Sequence, residues 1–184
     1  MKRLSILLFL YFICVQVNAQ YILAFHTENN DSFREWNIEV EIDSVTIIEG
    51  ELELTWGLSN DFTAWQYSIG DFDGDIVQKY DNNPGFWELR QGSEVVSITR
   101  TWPNDPTSWK IKMGKQQFTI NSKYGNTVDE WQNRETNKGD LLIYTENEGD
   151  PRDWLIEDYM NDNIPFSMRL AAVFISTFSS SPKI

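Results

Sequence analysis

Apolar and polar residues alternate along most of this chain, and turn-forming residues interrupt the alternation at regular intervals. Trp65, Tyr67 and Ile69 alternate with Gln66 and Ser68, and Trp109, Ile111 and Met113 alternate with Lys110 and Lys112. A period of two marks a strand with one buried face. Val96 and Ile98, with Trp102 in register, carry the same period, as do Phe118, Ile120 and Tyr124. Tryptophans fall 22 residues apart at Trp65, Trp87, Trp109 and Trp131, with Trp154 one residue late. Behind the first three, in step, come Gly70, Gly92 and Gly114, then Ile76, Ile98 and Ile120, then Tyr80, Trp102 and Tyr124. Self-similarity at a fixed period is the signature of a repeated supersecondary unit. Here the unit reads as a β-hairpin, with a glycine turn at one end and an Asn, Asp and Pro turn at the other. Asn82-Asn83-Pro84-Gly85, Pro103-Asn104-Asp105-Pro106 and Gly149-Asp150-Pro151 are such turns.

Short links make successive strands antiparallel neighbours, so the pattern predicts a meander. Strands are expected over Tyr21 to Thr27, Trp36 to Ile42 and Val45 to Trp56. Eight more follow between Phe62 and Thr145 and a last one from Trp154 to Glu157, about twelve in all. After Asn163 the alternation stops. The stretch near 165–178 is apolar on nearly every side, interrupted mainly by Arg169, Ser176 and Thr177, with Pro165 near its first turn. A helix apolar all round must be buried all round, and this one is too short to cross a bilayer. A barrel of about twelve strands is wider than its own inward side chains fill. The fold class expected is therefore all-β with one helix: an up-and-down antiparallel barrel enclosing a C-terminal hydrophobic helix. No composition shift divides residues 20–184, which read as one domain.

The first residues change the setting. Met1-Lys2-Arg3, an apolar stretch from Leu4 to Val17 and then Asn18-Ala19 have the order of a secretory signal peptide, expected over 1–19 and removed after Ala19. Cys14 follows Ile13 rather than a small residue, which argues against a lipidated N-terminus, and it leaves with the leader. The mature chain then carries no cysteine, so neither disulfides nor thiol chemistry is expected. Removing Lys2 and Arg3 leaves 13 basic against 28 acidic residues, a formal charge of −15. Such a surface repels nucleic acid and anionic lipid. The expected destination is outside the cytoplasm: periplasmic, cell-surface or extracellular.

A twelve-stranded barrel around a hydrophobic C-terminal helix resembles the superfamily of tubby C-terminal domains, LURP-one-related proteins and phospholipid scramblases. Ile69-Gly70-Asp71-Phe72-Asp73-Gly74-Asp75-Ile76-Val77 is similar to the strand, acidic-glycine turn and strand of the LURP-one group. Phe166 to Ser180 is similar to the terminal core helix. The resemblance spans nearly all of the mature chain and implies the barrel fold. It does not carry the activities across: the basic phosphoinositide cluster of tubby domains and the Pro-rich leader and Cys cluster of scramblases have no counterpart here.

Candidate chemistry is sparse. His26 is the only histidine, placed at a strand end before a polar turn, where a structural or surface role competes with general-base catalysis. Asp71, Asp73 and Asp75 around Gly74 offer oxygen ligands for calcium. Against that stands a hairpin turn in which Asp73-Gly74 supplies positive dihedrals, and Asn82 occupies the place of an EF-hand's distal glutamate. No catalytic residue, resident metal or cofactor is assigned. Trp65, Trp87 and Trp109 share parity with core residues, whereas Trp56, Phe86 and Trp102 lie where rings could stack on a ligand. These features lead to a non-catalytic exported binding or scaffold domain whose partner is a protein or glycan at the cell surface. The alternatives are a carboxylate-dependent glycan-acting enzyme and a carbohydrate-binding module.

Overall fold

A computed structural model describes residues 20–27, 33–42, 46–56, 61–125, 130–133 and 135–183. The expected leader, Cys14 and Val45 lie outside the described residues. Twelve strands close into one antiparallel barrel in sequence order, with the last pairing back onto the first. They are β1 (Gln20–Thr27), β2 (Glu35–Ile42), β3 (Thr46–Leu54), β4 (Ala64–Ile69), β5 (Phe72–Gln78) and β6 (Phe86–Gln91). The second half comprises β7 (Glu94–Arg100), β8 (Ser108–Met113), β9 (Gln116–Ser122), β10 (Glu130–Asn133), β11 (Gly139–Thr145) and β12 (Asp153–Met160). The helix α1 (Phe166–Ser180) lies inside.

The two ends of the barrel differ in chemistry. At one end Gly70, Gly92 and Gly114 turn the chain with φ of 58°, 55° and 57°, a region that glycine enters without steric cost. At the other end Trp65, Trp87, Trp109, Trp131 and Trp154 point inward and are buried. The alternation read from the sequence is the inward parity of the strands: Trp36, Ile38 and Val40 on β2, Trp65, Tyr67 and Ile69 on β4, Trp109 and Ile111 on β8. One bulge between Ile22 and Ala24 interrupts β1, and Phe25 beyond it stacks on Trp36 with centroids 4.9 Å apart.

α1 enters from the glycine end. Pro165 precedes its first turn, Phe166 packs on Phe72 at 5.6 Å, and the Ser167 hydroxyl donates to Glu94 at 2.6 Å. The Glu94 carboxylate thus meets the positive end of the helix dipole. Met168, Leu170, Val173, Phe174 and Ile175 are all fully buried, and so are Ser176 and Thr177. The Thr177 hydroxyl bonds back to the Val173 and Phe174 carbonyls, which lets it sit in an apolar interior. Phe174 and Phe178 then meet Trp65 and Trp87 at centroid distances of 4.8 to 6.2 Å. Burying the five large apolar side chains is worth on the order of 10 kcal/mol, comparable to the whole net stability of an ordinary domain.

β12 runs to Met160, beyond the Glu157 expected from the sequence, and the extra turn of alternation brings Asp158 to the inner face. There it forms an ion pair with Arg169 of α1, the two side chains only 1% and 3% exposed. Arg169 also donates to the carbonyls of Ile164, Met160 and Asn161, at 3.1, 3.2 and 2.9 Å, and lies over the Tyr21 ring. Burial pushes the Asp158 carboxyl above the usual carboxylate range, and Arg169 opposes that shift. Truncation after Asn163 is expected to abolish soluble folding, checked by size-exclusion chromatography of the shortened chain. Arg169→Met strands Asp158 in the interior and is expected to cost about 3–5 kcal/mol in denaturant unfolding.

Candidate functional site

The connections at the tryptophan end are built on one local scheme. Asp61, Asn83, Asp105 and Asp150 each accept, through a side-chain oxygen, the backbone N–H two residues on, at 2.8 to 3.2 Å. This Asx turn imposes a bend that the following strand needs. Four residues after each stands a tryptophan, and its indole N–H donates to the carbonyl three residues before it. Trp65 bonds Phe62, Trp87 bonds Pro84, Trp109 bonds Pro106 and Trp154 bonds Pro151, at 2.8 to 3.1 Å. A buried indole N–H needs such a partner. Trp131 takes another, the Ser180 hydroxyl at the end of α1, at 3.1 Å. Each loop is therefore tied at its base to the core.

The same loops carry a second set of rings that face outward. The N–H of Thr55, Lys79, Thr101 and Lys123 donates across the loop base to the carbonyl of Ala64, Phe86, Ser108 and Glu130, at 2.8 to 3.0 Å. The next residue in each case is Trp56, Tyr80, Trp102 or Tyr124. These rings are 72%, 52%, 67% and 60% exposed. Phe86, 38% exposed, meets the Tyr80 ring edge-on at 5.6 Å. On the neighbouring β11–β12 connection the corresponding position, after Glu146, is the exposed Asn147. An arc of aromatic rings thus covers four of the six connections at this end.

The three candidate stacking residues, Trp56, Phe86 and Trp102, share this one face. Tyr80 and Tyr124 complete it; the sequence alone does not single them out as site residues, although both stand in step with Trp102. Three cations beneath the arc are engaged: Lys79 holds Glu88, which Arg90 also binds from further along β6, Lys123 pairs with Glu130, and Arg100 lies over Trp109 at 5.2 Å. Hydrogen bonds from Arg90 and Lys79 hold the Glu88 carboxyl below its usual range.

Asp71, Asp73 and Asp75 lie away from the arc, at and beyond the Gly70 turn. The positive dihedral expected at Asp73-Gly74 belongs instead to Gly70, and Gly74 lies within β5. Its reason is clearance: a Cβ there would come within 2.4 Å of the Tyr67 hydroxyl and 2.2 Å of the Arg90 carbonyl. Tyr67 uses that space to donate to Gln91 inside the barrel at 3.0 Å. Among the described residues no group of three or more His, Cys, Asp or Glu could hold a metal ion. His26 sits on the outer face, with Nδ1 at 3.2 Å from Asp153 and Nε2 at 4.0 Å from Glu39.

Two open hollows flank the barrel. One of about 520 Å³ at the glycine end is lined by Tyr21, Glu41, Asp158 and Tyr159 among others, and its buried carboxylate belongs to Arg169. The other, about 560 Å³, lies between Phe33, Glu148, Arg152 and Pro182, beside the end of the aromatic arc. Inside, the space between Phe33, Trp36, Trp65 and Phe174 is about 10 Å³, room for a single water at most. No protein-family model, curated protein or solved structure matches this chain.

The Asx turns give the fold a pH dependence. The Thr107 hydroxyl and then its backbone N–H hold the Asp105 carboxyl below its usual range, and Arg152 does the same for Asp150. A depressed folded value means that the unfolded chain binds more protons, so this stability is present above the ordinary carboxylate pKa and is lost as pH falls through the folded one. Asp105→Asn keeps an acceptor, as Asn83 does in the neighbouring loop. It is expected to lower stability at pH 7 slightly, by the charge-assisted part of these bonds, and to flatten the loss below about pH 4, measured by urea unfolding across pH.

Proposed function

We propose that this protein is an exported, non-catalytic binding domain that works through the aromatic rim of its barrel. The carrying observation is the recurrence of an exposed ring at the same position of four successive loops, Trp56, Tyr80, Trp102 and Tyr124. Single exposed aromatics are ordinary on protein surfaces. Four at equivalent positions, on loops held by buried tryptophans, form one organised face. Rings that stand one residue past the last cross-loop hydrogen bond lose little entropy on binding, which favours a preformed recognition surface.

The leader-like order of Met1 to Ala19 supports export, which would put the rim outside the cytoplasm. The partner is a protein or a glycan of the cell surface. Nucleic acid and anionic membrane are disfavoured by 28 acidic against 15 basic residues. Kinship with the tubby-like barrels is part of the proposal, and twelve strands closed around a C-terminal helix are compatible with it.

The test is co-sedimentation with insoluble cell-envelope material. The wild-type protein is expected in the pellet and the Trp56→Ala/Trp102→Ala variant in the supernatant, with its thermal unfolding unchanged. Equal partition of the two would count against the rim as the binding face.

A further inference from the structure

We infer that the rim binds an uncharged polysaccharide, laid along the arc with its sugar faces on successive rings. This rests on the rim being the binding face and adds what it binds. The first argument is spacing. Neighbouring rings belong to connections two strands apart, and strands in a sheet lie ~4.8 Å apart, so adjacent rings stand at roughly 10 Å and the four span about 30 Å. A regular row of similar contacts on one curved edge suits a ligand that is itself a regular row of similar units.

The second argument is the chemistry between the rings. Exposed Asn82 follows Tyr80 by two residues, and exposed Asn104 follows Trp102 by two. An amide offers both donor and acceptor, matching a hydroxyl, while a flat ring matches the C–H face of a pyranose. A protein partner would call for a contiguous apolar centre, but Asp81, Asn82, Asn83 and Asn104, all exposed, break this one up. Membrane insertion would call for free basic residues around the rings. Lys79 and Lys123 are instead ion-paired, and Arg100 covers Trp109.

The third argument is the sign of the charge. Asp81 is exposed on an arc loop and Glu146 and Glu148 on the neighbouring β11–β12 connection, within a chain of formal charge −13. Uronate or sulfated polymers would be repelled, and the amides between the rings, which match hydroxyls, favour an uncharged polymer over a cationic one.

Affinity electrophoresis of the full chain through gels containing hydroxyethyl cellulose, mixed-linkage β-glucan, galactomannan or α-glucan tests this, with polygalacturonate as the anionic control. Retardation by at least one neutral polymer is expected, and none by polygalacturonate. Trp56→Ala, Tyr80→Ala, Trp102→Ala and Tyr124→Ala should each weaken binding by about three- to ten-fold. Trp102→Phe, which keeps a ring, should retain most of it, and thermal unfolding of every variant checks that the fold is intact. No retardation by any neutral polymer, retardation by polygalacturonate alone, or retardation that ignores the ring substitutions would each overturn the inference. Rim-dependent envelope binding without neutral-polymer binding would sink the polysaccharide and leave the rim standing. Loss of rim dependence in both assays would sink both.

Discussion

A closed sheet of twelve strands encloses more volume than its inward side chains fill, and everything else in this molecule depends on α1 filling it. The dependence is mutual. Phe174 is buried and Phe178 partly so because Trp65 and Trp87 pack against both, and those tryptophans are held in place by carbonyls of their own loops. The position of the rim loops is thus set from the core outward. At the other end the Asp158–Arg169 pair and the carbonyls around Arg169 fix how deep α1 sits. A buried ion pair is a poor source of net stability but a strict condition on register, because a shifted helix would leave two charges unpaired.

The two aromatic sets at the tryptophan end differ in environment, although seven residues or fewer separate Tyr80 from Trp87 and Trp102 from Trp109. One ring of each pair turns in and the other out. The inward ring has an indole N–H that must be satisfied, and the Asx turn presents a carbonyl to it. The outward ring follows the last cross-loop hydrogen bond, where the strand's parity no longer applies. Each exposed ring thereby stands one residue past a hydrogen bond that closes its loop base.

Much of this architecture is legible in the sequence because alternation and turn chemistry are local. Strand number, barrel closure and the enclosed helix all follow from the period of two and from one segment that lacks it. Where the reading fell short, the deciding contact was long-range or the signal was read one step early. Asp73-Gly74 looks like a turn until Tyr67 from β4 is seen to occupy the space above Gly74. Asp158 lies in the inward register of β12, but only if the strand continues past Glu157, and its partner Arg169 is on another element. Tyr80 and Tyr124 were in step with Trp102 all along. The bonds of the loop base, which place all three just past the strand ends, have no signature in composition.

The order of the elements along the chain bears on when this protein can exist at all. β12, which seals the seam against β1, and α1, which occupies the interior, are made after every other element, and His26 meets Asp153 across 127 positions. A chain that stops before β12 lacks both the strand that closes the barrel and the helix that fills it. Local hairpins can flicker in and out, but the cooperative gain waits for the closing contacts, as it does in other topologies of high contact order. A chain arranged this way cannot close its barrel before β12 and α1 have been made.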